Sequence, residues 1–432
     1  MERFKKTVGG NDIFKVLSIR PFLLMMLSEL FSQLAFNIQN FALILIVYKL
    51  THSNTAVSGI ILSFTIPAIL FSIIGGVYVD RWNKKHVMFN VNILRAFLLL
   101  PFLIPNLNIG LVYILTFLIA VSTQFFIPAE ASIIPTLVPQ NLILSANSVF
   151  SMGIYGAIFA GYVLAGPLLL LIHRENTFIL LSILFFASAL FIYLIKIPFG
   201  KKAAAGAGAE DSVGISFTKE MKELFSFIKK TKKVMHAFLI LTIAQAIVYM
   251  LAVLGPGYLS TILRVRIETL SLILIAPAAI GIGVGALILG SPRIKKYKFK
   301  HLSALGFLLS GIVFILLPFG NRIASHFLVQ AVNNFLPHVL MINNLHIVIL
   351  LAAIIGFSFS FIYIPSNTTL QLETNEGMRG RIFGLLNALI GAVSFLPVVL
   401  AGGLADLLGV GVVIISVGIL MICLGLAFYI FD

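Results

Sequence analysis

Long runs of apolar residues alternate along this chain with short polar segments. A helix needs about 20 apolar residues to cross a bilayer, and it satisfies its own backbone hydrogen bonds in lipid. The pattern therefore predicts twelve transmembrane helices and an all-α membrane protein. The runs lie near residues 21–48, 56–79, 87–104, 109–127, 146–172, 176–195, 234–258, 269–290, 302–319, 346–366, 382–405 and 410–431.

The polar segment between the second and third runs is short and strongly charged. It reads Gly76-x-x-x-Asp80-Arg81-x-x-Lys84-Lys85. A connection of a few residues joins two helices into a hairpin, so we expect the chain to cross the membrane and fold back at this point.

The composition agrees with a membrane protein and excludes an ordinary soluble one. Of the 432 residues, 60% are hydrophobic and 10% are charged, whereas soluble domains carry about 25% charged residues. The net charge of +15 would suggest a nucleic-acid partner in a soluble chain. Here the basic residues lie between apolar runs, so we expect contact with membrane lipids and no nucleic acid.

Lysine and arginine are distributed unequally between the two sides of the membrane. Five lie in the N-terminal tail, three in the turn after the second run, nine in the central loop, and five and two in the turns after the eighth and tenth runs. The opposite loops hold five, and Arg95 lies inside a run. Because basic loops stay in the cytoplasm, we expect both termini to be cytoplasmic, in the cytoplasmic (inner) membrane of a prokaryote.

The central loop divides the chain into an N-terminal six-helix bundle (1–196), a cytoplasmic linker (197–233) and a C-terminal six-helix bundle (234–432). The linker begins with a glycine- and alanine-rich stretch that is typical of flexible segments. From Phe217 to Ile228, apolar residues then recur at helical spacing between lysines. This pattern fits an amphipathic helix on the anionic inner leaflet. A helix packed beneath the bundle fits it equally well.

The two halves of the chain repeat the same features in the same order. Pro128 ends the fourth run and Pro365 ends the tenth, while Gly76 and Gly290 each precede a basic turn. Six plus six helices with the same orientation form a parallel repeat, which is typical of transporters with a site between the halves. We therefore expect two pseudo-symmetric six-helix bundles.

Three segments resemble the motifs of one transporter family. They are the charged turn at 76–85, the segment 126–147 that begins Phe-Ile-Pro-Ala-Glu-Ala, and the segment 365–388 that contains Met-Arg-Gly-Arg-Ile-Phe-Gly. The turn resembles the loop 2–3 signature of the major facilitator superfamily. The other two look like its branch of macrolide-efflux proteins and enterobactin exporters. The resemblance implies a secondary transporter in which two bundles rock about a shared cleft.

The resemblance also implies a mechanical role for the charged turn. Asp80 would face the start of the eleventh helix, near Gly380-Arg381, where free N–H groups attract a carboxylate. Such a latch would hold the two halves together on the cytoplasmic side; a cluster that only anchors topology is the alternative. The residues of this cytoplasmic latch motif are Gly76, Asp80, Arg81, Lys84, Lys85, Arg379 and Arg381.

Polar residues inside the apolar runs are candidates for a substrate or proton path, because polar groups in lipid need water or partners. In the first run, four of them fall within roughly 80° of one helix face. They predict a polar wall of the central cavity; hydrogen bonding within the bundle is the alternative. The four are Glu29, Gln33, Asn37 and Asn40, and the weaker candidates elsewhere are Gln124, Gln245, Tyr249 and Asn387.

Glu29 and Arg95 are expected at similar depth, since each lies about nine residues from the cytoplasmic start of its run. An unpaired charge in the membrane costs several kcal/mol, so we expect a buried ion pair between them. The pair is either structural or a proton-linked switch in which protonation of Glu29 releases Arg95.

The chain carries no Gly-x4-Gly-Lys-Ser/Thr, His-Glu-x-x-His or Gly-x-Ser-x-Gly motif. We expect no enzymatic activity, no cofactor and no metal site. Gly281, Gly283 and Gly285 lie in the middle of a run and predict close helix packing. The single cysteine, Cys423, excludes an intrachain disulfide and is expected to be a small buried residue.

Together these features predict a secondary active transporter that exports an amphipathic or lipophilic small molecule, such as a drug or a siderophore. We expect exchange for protons by alternating access, and a monomer. Two alternatives stay open. One is an uptake or lysophospholipid transporter of the same fold, and the other is a membrane partner subunit that transports nothing.

Overall fold

The structure, a computed structural model, describes residues 10–196, 226–291, 299–319, 344–374 and 376–430. Within these ranges twelve helices are long and apolar enough to cross a membrane, which confirms the predicted fold class and helix number. They are α1 (Arg20–Thr51), α2 (Asn54–Arg81), α3 (Lys84–Leu99), α4 (Ile109–Leu137), α5 (Ile143–Leu171), α6 (His173–Leu194), α7 (Lys232–Gly257), α8 (Ala276–Leu289), α9 (Phe299–Leu316), α10 (Asn344–Leu372), α11 (Glu376–Leu408) and α12 (Val410–Ile430).

Short turns of other helical types extend some of these crossings. A 3₁₀ turn, Leu100–Leu103, lengthens α3. A π-helical segment, Tyr258–Leu263, continues α7, and a second one, Ser271–Ile275, leads into α8. With these extensions, α8 reaches the length that a membrane crossing needs although its regular part is short.

Two predicted helix ends are wrong. Pro128 lies inside α4, which continues to Leu137, and Pro365 lies inside α10, which continues to Leu372. Proline removes one backbone N–H and usually breaks a helix in a soluble protein. In membrane helices it is tolerated, because neighbouring helices and hydroxyl side chains satisfy the freed backbone groups.

The chain forms two compact units. The first comprises residues 1–43 and 63–211, and the second comprises residues 44–62 and 212–432. The end of α1 and the beginning of α2 therefore pack as part of the second unit. The later boundary between the units lies inside the predicted linker, 197–233.

Glycines let α8 and α10 approach closely in the second unit. A Cβ at Gly281 would overlap the backbone carbonyl oxygen of Ala353, and one at Gly285 would overlap the side chain of Ser360. The predicted close packing is confirmed at these two positions. At Gly283 the prediction is wrong, because a Cβ there would meet nothing within 4 Å; this glycine points away from α10.

Ile228 is the part of the proposed amphipathic pattern that the structure describes; the preceding residues of the linker, 197–225, lie outside the described ranges. Its side chain is buried in an apolar cluster with Phe238 of α7, Leu370 of α10 and Ile382 of α11. At this residue, packing beneath the bundle is the arrangement found.

Cys423 is exposed on α12, so its predicted burial is wrong. The helix packs against α9 through another face, where a Cβ at Gly418 or Gly425 would meet atoms of α9 and Met421 is buried. Cys423 lies off that face, and burial in an apolar run depends on the face as much as on the residue type.

Candidate functional site

Three charged residues from three helices of the first unit lie close together in the protein interior. Glu29 comes from α1, Arg95 from α3 and Glu130 from α4, with exposed fractions of 1%, 2% and 6%. The charge of Arg95 acts on both carboxylates, and the two carboxylates act on each other. We call these residues the charged trio.

Neutral side chains bind the guanidinium of Arg95. Its Nη2 donates to Thr123 Oγ1 at 2.9 Å and its Nε to Ser122 Oγ at 3.3 Å, both on α4. Its Nη1 donates to Ser32 Oγ on α1 at 3.2 Å and, more weakly, to Asn92 Oδ1 on its own helix at 3.4 Å. The cation thus joins three helices through uncharged acceptors.

Aromatic rings complete the surroundings of this cation. The Arg95 Cζ lies 4.8 Å from the ring centroid of Phe126 and 5.6 Å from those of Phe36 and Phe185. A guanidinium within about 6 Å of an aromatic face is attracted by the ring quadrupole. The rings also exclude water, which strengthens every electrostatic interaction of the trio.

The two carboxylates of the trio lack comparable partners. Within the described part of the chain, neither oxygen of Glu29 accepts a hydrogen bond, and the same holds for Oε1 of Glu130. The two carboxyl groups are close enough to act on each other electrostatically. Adjacent buried carboxylates do not both ionise without a large cost.

The predicted direct ion pair between Glu29 and Arg95 is therefore wrong. The predicted common depth is right, because Arg95 reaches Ser32, which lies about one turn along α1 from Glu29. Arg95 meets hydroxyl groups instead of the carboxylate, since α4 and α1 already supply enough acceptors for its N–H groups.

Small polar residues fix α1, α3 and α6 around the trio. Asn92 Nδ2 donates to Ser188 Oγ at 2.8 Å, and Ser32 Oγ donates to Asn92 Oδ1 at 3.2 Å. The hydroxyls of Ser28 and Ser188 lie 2.8 Å apart. All four are buried, so this network sets the orientation of the helix faces that carry Glu29 and Arg95.

Only some of the side chains in the polar stripe predicted on α1 form hydrogen bonds with one another. Asn37 Nδ2 donates to the carbonyl oxygen of Gln33 at 2.7 Å and to its Oε1 at 3.2 Å. Glu29 and Asn40 stand at the two ends of the stripe, and Asn40 Oδ1 is buried with no partner among the described residues. Hydrogen bonding within the helix thus explains the middle of the stripe and leaves its ends unexplained.

The weaker candidates belong to both units. Gln124 is buried in the first unit, where its Nε2 donates to the carbonyl oxygen of Ala120 at 3.3 Å. In the second unit, Gln245 and Tyr249 lie about one turn apart on one face of α7. Asn387 is exposed on α11. Gln124 satisfies its amide within its own helix, as a packing residue does.

The charged turn is built from a helix cap and a lysine contact. Asn83 Oδ1 accepts hydrogen bonds from the backbone N–H groups of Lys85 and His86 at 3.1 Å and 3.3 Å, so it caps α3. Lys85 Nζ donates to the carbonyl oxygens of Tyr193 and Ile195 at 2.8 Å and 2.7 Å. A cation at these last carbonyls of α6 is favourable. The ammonium group of Lys85 therefore binds a helix end of its own unit, the first unit.

The remaining latch residues are described only in part. The side chains of Asp80, Arg81, Arg379 and Arg381 lie outside the described structure. Gly76 has open space for a Cβ, whereas one at the neighbouring Gly75 would overlap the carbonyl oxygen of Gln124 on α4. Gly75 is thus a position where α2 approaches α4 closely.

Sequence reasoning missed Glu130 and Gln39. The expected end of the fourth crossing at Pro128 places Glu130 outside the membrane. An acid two residues beyond a proline, with more apolar residues following, is the signal in the sequence that identifies it. Gln39 is fully buried, and neither polar atom of its amide has a partner in the described ranges. It lies off the predicted stripe of α1.

We expect Arg95→Leu to lower the melting temperature of the purified protein. The substitution leaves several hydroxyls unpaired and the two carboxylates without a compensating cation, and removing one member of a buried charge cluster typically costs about 3–5 kcal/mol. The melting temperature of Arg95→Lys should fall between those of the wild type and Arg95→Leu, since lysine keeps the charge but lacks the planar guanidinium. A wild-type melting temperature for Arg95→Leu would contradict a structural role.

Twelve apolar helices with ionisable groups buried among them define an α-helical, multi-pass membrane protein of the kind that moves ions or solutes. The family model of the Major Facilitator Superfamily matches residues 25–397. The chain belongs to this superfamily and is a membrane transporter of the major facilitator type.

Individual relatives agree with this assignment. The chain is 25% identical over 390 residues to an uncharacterized MFS-type transporter, YfiS, of Bacillus subtilis (strain 168), covering 89% of this chain and 86% of the relative. Among solved structures, a POT family transporter in complex with 5-aminolevulinic acid is similar with a TM-score of 0.70 at 13% identity, over 95% of this chain and 96% of the other. A mutant of the nucleoside transporter NupG gives 0.68 at 14% identity, over 94% and 99%. These structures share the fold.

Proposed function

We propose that this transporter exports an amphipathic or lipophilic small molecule, such as a drug or a siderophore, from a prokaryotic cell in exchange for protons. The resemblance of residues 126–147 and 365–388 to macrolide-efflux proteins and enterobactin exporters supports the substrate class. The distribution of Lys and Arg supports cytoplasmic termini in the inner membrane.

The observation that carries proton coupling is the charge balance of the trio. One cation, Arg95, lies beside two carboxylates, Glu29 and Glu130, all three nearly inaccessible to water. With both carboxylates ionised the trio carries one net negative charge; with one proton bound it is neutral. Because an uncompensated charge is costly in this environment, the trio takes up one proton whenever it is closed off from water.

Alternating access gives this proton a direction. When the trio is reached by water from the side of low pH, it binds a proton, and when it is reached from the other side, it releases one. The protonated and deprotonated trio favour different conformations, and a ligand shifts a conformational equilibrium only through such a difference. Entry of the proton down its gradient thereby drives the conformational change that returns the empty transporter to the state that is open to the cytoplasm.

The substrate path follows the polar groups that the packing leaves unsatisfied. Asn40 and Gln39 are buried on α1 with unpaired amide atoms among the described residues, and Gln33 and Asn37 lie between Asn40 and the trio. Gln245, Tyr249 and Asn387 of the second unit are proposed as further lining residues. The latch between Asp80 and the start of α11 is proposed to hold the cytoplasmic side closed while substrate leaves.

We expect everted membrane vesicles that contain the protein to accumulate a radiolabelled macrolide or a fluorescent lipophilic dye when a pH gradient, acid inside, is imposed. Accumulation should collapse when a protonophore is added, because the gradient then no longer favours protonation of the trio on one side. Vesicles with the reverse gradient measure uptake and serve as the control of direction.

A pH-gradient-independent flux would contradict proton coupling. Flux only in the inward direction would favour the uptake alternative, and lysophospholipid movement in the same vesicles would favour the lipid-moving alternative. Absence of flux for all these probes, together with no pH-dependent thermal stabilisation by any of them, would favour a partner subunit.

A further inference from the structure

Asp406, near the end of α11, binds the first residues of α2 within the second unit. Its carboxylate accepts hydrogen bonds from the backbone N–H groups of Asn54 and Thr55 at 2.8 Å and 2.9 Å. It also accepts from Ser53 Oγ at 2.6 Å, Thr55 Oγ1 at 2.7 Å and Asn54 Nδ2 at 2.9 Å. Five donors from three consecutive residues thus meet on one carboxylate.

This contact completes the cap of α2. The first N–H groups of a helix have no partner inside the helix. Ser53 Oγ accepts from the N–H of Ala56 at 3.2 Å, as an N-cap side chain does, but it leaves the N–H groups of Asn54 and Thr55 unpaired. Asp406 supplies both missing acceptors, and its negative charge is favourable at the positive end of the helix.

The two helices remain in contact below the cap. Ser58 Oγ donates to the carbonyl oxygen of Val398 at 2.8 Å. A Cβ at Gly402 would overlap Ser58 Oγ and would lie 2.7 Å from the carbonyl oxygen of Asn54. These contacts involve hydroxyl groups, backbone carbonyl oxygens and small residues.

The same segment is held at one further point. Lys49 Nζ, near the end of α1, lies 2.6 Å from Glu268 Oε1. Residues 44–62 are therefore attached to the second unit at both helices of the turn, whereas α1 and α2 continue into the first unit at residues 43 and 63. The helices α1 and α2 are thus each divided between the two units.

We propose that Asp406 is a releasable clamp on the start of α2, and that its release permits the transporter to open on the side opposite the basic turns. Asp406 is exposed, so water can replace its five donors when α2 leaves. Its role in the transport cycle rests on the proposed function, whereas the clamp itself is measured without any substrate.

The test uses the reactivity of a buried thiol. Ser58, 2% exposed, is replaced by Cys in a Cys423→Ser background, which leaves one thiol in the protein. The rate of its reaction with a water-soluble maleimide reports how often the segment detaches from α11. We expect Asp406→Asn to raise this rate by roughly tenfold or more, the change that accompanies loss of a charge-assisted contact.

A matched control keeps the comparison specific. Glu373→Gln removes another acid of the second unit, which lies 2.7 Å from Lys233, and it should leave the rate unchanged. Equal rates for Asp406→Asn and its parent would overturn the clamp. A rise of similar size in Glu373→Gln would also overturn it, because the cause would then be general loosening.

A second variant keeps the test decisive if Asp406→Asn misfolds. Ser53→Ala combined with Thr55→Val keeps Asp406 and removes two of its donors, so we expect a smaller rise, with the melting temperature recording the integrity of each variant. No rise in this double variant would count against the clamp. Failure of transport in vesicles, with the thiol result as expected, would refute the proposed function and leave the clamp intact.

Discussion

Glu29→Gln and Glu130→Gln are each expected to abolish the response of transport to a pH gradient while leaving substrate binding intact. Either substitution gives the charged trio a neutral amide in place of a carboxylate. Arg95 then balances the remaining carboxylate permanently, and no group needs a proton. Because coupling between two sites is typically worth about 5–150-fold, we expect gradient-driven flux to fall by a factor in that range.

The measurement is the initial rate of macrolide flux in proteoliposomes with and without an imposed pH gradient. Exchange of labelled for unlabelled macrolide at uniform pH records the binding and conformational steps that should survive. Glu175→Gln is the matched control: this acid belongs to α6, is 52% exposed and lies 3.0 Å from Arg174. A variant of either trio carboxylate with wild-type gradient dependence would show that the coupling proton binds elsewhere.

Gly281→Val is expected to destabilise the second unit severely, whereas Gly283→Val in the same helix should not. At Gly281 a Cβ would overlap the carbonyl oxygen of Ala353 and would lie 2.8 Å from the backbone nitrogen of Phe357. Backbone atoms cannot rotate away, so α8 and α10 must separate. Overpacking of this kind costs about 1–3 kcal/mol and occasionally more. In lipid, van der Waals contact is a main force between helices.

The two valine variants have the same change in helix propensity, so their difference isolates the packing term. We expect a large drop in the melting temperature and in membrane accumulation for Gly281→Val and values near wild type for Gly283→Val. Gly356→Val, on the facing helix, should resemble Gly281→Val, because a Cβ there would overlap the carbonyl oxygen of Ala278. Equal stability of the Gly281 and Gly283 variants would contradict the close approach.

Much of the fold was predictable from the apolar runs, because lipid leaves the backbone few choices. Errors arose where a rule from soluble proteins was applied at membrane depth. Pro128 and Pro365 were expected to end helices, yet α4 and α10 continue past them. Gly283 and Cys423 were misplaced for a different reason. Their helices are apolar on every side, so the sequence does not reveal which face packs against a neighbour.

Some residues of the candidate site could be predicted from the sequence, but most of their contacts could not. Glu29 and Arg95 were identified because single charges in apolar runs are rare and costly. The groups that they contact were not predictable, since either a carboxylate or several hydroxyls and aromatic rings can stabilise a buried arginine. The choice depends on how Ser32, Ser122 and Thr123 are brought together by the packing of separate helices. Glu130 was not among the predicted site residues, because the fourth helix was expected to end at Pro128.

Cys423 has a practical consequence for determining quaternary structure. A lone thiol on the outer surface of α12 can oxidise with its counterpart on a second molecule once lipid is replaced by detergent. The resulting covalent pairs would migrate as a stable dimer and would imitate a biological assembly. Stoichiometry is therefore best measured under reducing conditions, with the Cys423→Ser protein alongside.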